Sequence, residues 1–163
     1  VLHARYLTQY QQQEQQQPVF SIEKIYVKDA SLEVPNAPGI FLDREQPQVE
    51  LDLSTKGDKL DEGYYHVELK VTVTAKNASK TLFLAEATQC GVFQIRGVPD
   101  ENLQAVLSVE CPTILFPYVR EVVSDLSARA GFPPVTLAPV NFAGLYMQRL
   151  QQQQAANEPA TAH

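Results

Sequence analysis

Along residues 64–76, YYHVELKVTVTAK, apolar and polar positions alternate: Tyr65, Val67, Leu69, Val71 and Val73 against Tyr64, His66, Glu68, Lys70, Thr72 and Thr74. A period of two held this long predicts a strand with one buried and one wet face. The same alternation appears before it. In residues 19–34, Ala30, Leu32 and Val34 oppose Asp29, Ser31 and Glu33, and in residues 49–53, Val49, Leu51 and Leu53 oppose Glu50 and Asp52. After an Asn77-Ala78-Ser79 turn, residues 81–95 place Phe83, Ala85 and Ala87 opposite Leu84, Glu86 and Thr88. Gly91 interrupts that phase, which predicts a bulge or the close approach of another backbone.

The period then changes. Leu103, Val106 and Leu107 predict a helix over residues 100–109. Pro112 suits a first helical position. From there Leu115, Val119, Val122 and Leu126, with Phe116 and Val123 on an adjoining stripe, predict a longer helix with an unusually wide apolar face. Pro117 is expected to bend its first turn or to mark its true start; Gly131 and Pro133-Pro134 end it. Asn141 is a candidate N-cap for a short last helix, with Phe142, Leu145, Tyr146 and Leu150 on one face. Strands followed by helices predict an α+β domain: a four-stranded antiparallel sheet, a long helix on one face and a shorter C-terminal helix.

Residues 1–17 carry seven glutamines, and residues 151–163 are similarly polar; both read as flexible tails around a domain of residues 18–150. No run of 18 apolar residues predicts a membrane span, and the N-terminal stretch lacks the apolar centre of a secretory signal, so the cytoplasm is the expected location.

The chain of 163 residues carries a formal charge of −6, which argues against nucleic acid and for a basic partner. Residues 43–62 hold seven acids and three bases, a local net of −4. No phosphate-binding glycine motif is present. His66 is the only histidine outside the tails, and Cys90 and Cys111 stand 21 positions apart, unlike paired metal ligands. Both thiols are expected to pack as small apolar groups. No catalytic residue, metal ligand or cofactor site is expected. A binding protein therefore outranks an enzyme or small-molecule carrier using His66 and Cys111. The apolar excess of the long helix points to a core helix or to one covered by a second subunit.

Three segments, IYVKDASLEVPNAPGIF, CPTILFPYVREVV and LAPVNFAGLYMQRLQQQ, in this order resemble the SecB family of bacterial protein-export chaperones over residues 20–153. The resemblance implies an ATP-independent holdase, without cofactor, that binds unfolded preproteins and delivers them to the SecA motor. It implies a homotetramer, a dimer of dimers with the long helices between two sheets. Ala85, Ala87, Gln89, Leu115, Val119, Val122 and Leu126 would serve that assembly. Client contacts are implied at Val49, Leu51, Leu53, Phe83, Tyr146 and Leu150, and SecA contacts at Asp29, Glu33, Leu84 and Glu86. The same fold could instead serve one dedicated client, such as an antitoxin. Glu45 stands where family members often carry tryptophan, and Cys90 where glycine is common.

Overall fold

The computed structural model describes residues 17–158. Four strands, β1 (Val19–Glu33), β2 (Gln48–Asp61), β3 (Tyr64–Lys76) and β4 (Thr81–Arg96), form one antiparallel sheet in the order β1-β4-β3-β2. β1 and β2 are the edges. The alternating run is the central strand β3, and its Val67, Leu69, Val71 and Val73 are completely buried. Asn77 closes the β3–β4 turn, its side-chain oxygen accepting from the amides of Ser79 and Lys80 at 3.1 and 2.9 Å.

Two strands differ from expectation. β2 runs to Asp61 and does not stop near Leu53. Its second half, Ser54 to Asp61, is mostly polar and exposed, as an edge strand running out along the helices tolerates. Gly57 marks where it crosses them: a Cβ there would stand 3.3 Å from Leu107 Cβ. β1 pairs with β4 through register shifts between Ile22 and Lys24 and between Val27 and Asp29, which explains why only its second half alternates cleanly. Gly91 itself is in register with Ile25 and Val67. It serves a close approach, by side chains and not by a backbone: an added Cβ would meet Phe93 Cε2 at 2.6 Å and Leu115 Cδ2 at 3.1 Å.

The helical segments α1 (Asp100–Ala105), a π-helical turn (Val106–Glu110) and α2 (Cys111–Arg129) follow one another without leaving the helical region at Ala105, Val106, Glu110 or Cys111. The expected break between two helices is therefore absent. Pro112 and Pro117 have no N–H for the carbonyls of Ser108 and Thr113, and the wider π turn sits immediately before the first of them. Pro117 lies inside α2 and does not mark its start. α2 packs on β3 and β4 and buries Leu115, Phe116, Val119 and Val123.

Beyond α2, Gly131 takes φ 90°. Phe132 then packs against both Phe41 and Phe83, with ring centroids 5.4 and 5.3 Å apart. Ser127 Oγ donates to Ser124 O at 2.9 Å and accepts from Val135 N at 2.8 Å, tying this connection to the helix. α3 (Phe142–Asn157) is capped as expected, with Asn141 Oδ1 accepting from Gly144 N at 3.0 Å. It is anchored by Phe142, edge-on to Phe116 at 5.9 Å, and otherwise rides on the surface against the π turn. The polar run after Leu150 continues the helix to Asn157. Residues 1–16, nearly all of the expected N-terminal tail, and residues 159–163, the end of the expected C-terminal one, lie outside the described residues. Among the described residues, no helix is long and apolar enough to cross a membrane.

Candidate functional site

On the helix side of the sheet, β2, the π turn and α3 enclose a groove. Leu53 and Thr55 form one wall, Phe142, Leu145, Tyr146 and Arg149 the other, and Ser108 lies between, around a cavity of about 220 Å³. Its apolar floor runs on along β2. Leu51 and Val49 face the same way, opposite Val73 and Ala75, but α2 does not reach them and they are 47% and 50% exposed. Exposed apolar groups on an edge strand, beside unpaired backbone donors and acceptors, suit an extended polypeptide. Leu145 and Met147 add apolar area on α3, at 41% and 55% exposure.

The expected client positions divide on this geometry. Val49, Leu51, Leu53 and Tyr146 lie on or along the groove. Leu150 is one helical turn beyond Tyr146, half-buried and outside the cavity lining. Phe83 is 2% exposed and lies beneath Phe132.

The opposite face of the sheet is polar. Cross-strand pairs set Glu33 against Leu84, Ser31 against Glu86 and Asp29 against Thr88, so Asp29, Glu33, Leu84 and Glu86 form one continuous patch. Asp29 and Glu33 are exposed, while Leu84 and Glu86 are half-buried. Glu86 accepts from Thr72 Oγ1 at 3.3 Å and meets Lys70 Nζ at 3.1 Å. An apolar side chain flanked by carboxylates has the chemistry to suit a basic partner carrying one apolar group.

The positions expected to serve assembly are mostly covered by their own chain. Leu115, Val119 and Ala85 are completely buried, and Ala87 nearly so. Gln89 donates from Nε2 to Tyr26 O at 3.1 Å. Val122 and Leu126 remain half-buried, packed at the margin of the core. Val122 borders a second depression, of about 400 Å³, between α2 and β1 with Ile25, Val27, Pro117 and Tyr118.

The residues of the enzyme alternative do not meet. Cys111 belongs to the core under the sheet, where burial, with the nearby Glu110 charge, pushes its thiol up to about 12. His66 lies on the outer face, and its Nε2 and Tyr26 Oη are 2.6 Å apart. Although it lies on the face that alternation predicts to be wet, only 17% of its side chain is exposed. Its neighbours Glu68 and Cys90, with His66 itself, offer ligand atoms within 4.8 Å of one another.

A family model described as preprotein translocase subunit SecB matches residues 13–153. The chain belongs to the SecB family. It is 60% identical to the protein-export protein SecB of Dechloromonas aromatica over 144 residues, 88% of this chain and 95% of that one. Against the SecB of Chromobacterium violaceum it is 58% identical over 147 residues, 90% and 98% of the two chains. Among solved structures, the SecB-like chaperone of Mycobacterium tuberculosis, in complex with a peptide from an antitoxin, superposes with a TM-score of 0.63 at 21% identity. It covers 74% of this chain and 90% of that one, a likeness of fold.

The SecB resemblance reached Leu53 on β2 and Tyr146 on α3 but not Thr55, Ser108 and Arg149, which complete the walls. Those are polar residues at positions where neither period of the sequence singles them out. Leu145 was legible as part of the last helix's apolar face. The Tyr26–His66–Glu68–Cys90 grouping joins three strands. Its only sequence signal is the i, i+2 spacing of His66 and Glu68, which places both on one face of β3.

Proposed function

We propose that this chain is an ATP-independent export holdase that keeps unfolded preproteins open and hands them to SecA. The observation that carries this is the groove of Leu53, Leu145 and Tyr146 continued by exposed Leu51 and Val49 along an edge strand. Such a surface accepts an apolar side chain from almost any sequence, at about 25 cal/mol per Å² buried, while the β2 edge pairs with backbone that every client has. Several weak contacts along one chain add through effective concentration. Relatives at 53–60% identity over 88–92% of the chain are export proteins, which favours export over a single dedicated client.

The patch of Asp29, Glu33, Leu84 and Glu86 is the SecA surface in this reading, on the opposite face from the groove, so client and motor do not compete for the same side chains. The assembly is a dimer of dimers formed by half-buried Val122 and Leu126 of α2 together with the apolar β1 edge at Val19, Phe20, Ile22 and Val27, all exposed in the single chain. Leu115, Val119, Ala85, Ala87 and Gln89 support that interface from beneath, and Phe83 with Phe132 supports the groove. The cytoplasm is where such a protein meets preproteins before translocation.

The test is suppression of aggregation of a reduced, unfolded protein in the absence of nucleotide, with light scattering on the chaperone alone. A tetramer that protects at near-stoichiometric amounts is expected. A monomer that protects nothing rejects the reading.

A further inference from the structure

On the outer face, one rung of the sheet crosses three strands: Tyr26 of β1 pairs with Cys90 of β4, which pairs with Glu68 of β3. His66 lies two residues from Glu68 on the same face. We propose that His66, Glu68 and Cys90 form a binding site for a zinc-class divalent ion, oriented by the Tyr26 hydroxyl. A thiolate, an imidazole and a carboxylate are the donors that zinc takes in tetrahedral sites.

The three residues each offer one ligand atom within 4.8 Å of the others. Bond lengths of 2.0–2.3 Å place tetrahedral ligands about 3.3–3.8 Å apart, so about 1 Å of side-chain movement closes the site. His66 Nδ1 is 4.0 Å from Glu68 Oε1, while Nε2 and the Tyr26 oxygen are 2.6 Å apart. With the ring proton on Nε2 donated to Tyr26, the Nδ1 lone pair is free for the ion, an arrangement typical of metal-bound histidines. Cys90 is completely buried, whereas the His66 and Glu68 side chains are 17% and 21% exposed, so the site opens to solvent on one side.

Binding is a proton exchange with no redox step. Cys90 Sγ–H gives its proton to solvent as the sulfur–metal bond forms, and thiolate plus carboxylate balance the two charges of the ion. Water takes the fourth position. Lys28 Nζ holds Glu68 Oε1 at 2.6 Å and competes with the ion for that carboxylate.

The test is titration of the full reduced chain with Co²⁺, followed by displacement with Zn²⁺. One Co²⁺ per chain is expected, with a sulfur-to-cobalt charge-transfer band and visible bands of tetrahedral intensity, both bleached by Zn²⁺. Cys90→Ser removes the charge-transfer band; Cys111→Ser keeps it. Tyr26→Phe, which leaves all three ligands in place, weakens binding by about 10–100-fold, and Lys28→Met strengthens it. Co²⁺ bound without the sulfur band, a band that survives Cys90→Ser, or no binding at all overturns the proposal.

Discussion

Gly91 and Phe93, two residues apart on β4, share one space: the Phe93 ring lies where a Gly91 Cβ would be, 2.6 Å from its Cε2 position. The ring cannot swing away, because Phe93 is completely buried and Leu115 Cδ2 closes the other side at 3.1 Å. Gly91→Ala therefore forces β4 and α2 apart. It should cost about 1–3 kcal/mol of stability by overpacking, read as a lower urea midpoint with an unchanged slope. A neutral substitution would mean that the sheet–helix contact is looser than described.

Leu51 tests the groove without touching the core. It is 47% exposed, so Leu51→Ser should change stability by no more than about 0.5 kcal/mol. Losing one buried aliphatic contact with a client, about 1.5 kcal/mol, should weaken binding of an unfolded preprotein about tenfold. Titration against a labelled, permanently unfolded client measures both. An unchanged affinity would remove the β2 floor from the client surface.

The outer patch answers to charge. Asp29→Asn or Glu86→Lys should slow association with SecA and flatten its salt dependence, while client binding through the groove persists. Stopped-flow binding at several ionic strengths is the measurement. If rate and salt dependence match the wild type, SecA docks elsewhere.

Cys111 sets an alkaline limit. Its thiol stands at about 12 in the fold against an ordinary 9.0. Between these values the unfolded chain has released a proton that the folded chain keeps, so the unfolded state gains. The full contribution is present below about 9 and is lost progressively as pH rises from there through about 12. Urea midpoints followed from neutral pH into the thiol range should fall, and less steeply in Cys111→Ala, which is less stable throughout. In the native state Cys111 should also resist alkylation. Rapid labelling of Cys111 before unfolding would contradict its place in the core.

Much of the fold is written in two periods. Val67 to Val73 on β3, and Leu115 to Val123 on α2, sit where period two and period 3.6 put them, because each faces a layer that must exclude water. Where no such layer exists the pattern is silent. The second half of β2 is exposed and mostly polar, and the first half of β1 loses its alternation to two register shifts. The π turn is a response to Pro112, whose effect on the carbonyl ladder can be foreseen, although the way the chain accommodates it cannot.

The sites follow the same division. Asp29, Glu33, Leu84 and Glu86 could be placed on polar strand faces from alternation, but that they form one patch depends on β1 lying beside β4, a pairing across more than 50 residues of chain. Phe83 reads as an apolar strand position with no sign that Phe132, 49 residues on, covers it. The grouping of Tyr26, His66, Glu68 and Cys90 has the same origin: three strands contribute, and only the sheet order brings them together.

The central claim is that an unfolded chain lies in the groove between β2 and α3 without help from nucleotide. Amide hydrogen exchange of the full chain, with and without a saturating unfolded preprotein and in the absence of ATP, tests it most directly. New protection is predicted along residues 48–55 of β2 and in the first two turns of α3, with the central strand β3 unchanged. Client binding that leaves both segments exchanging at their free rate would contradict the account.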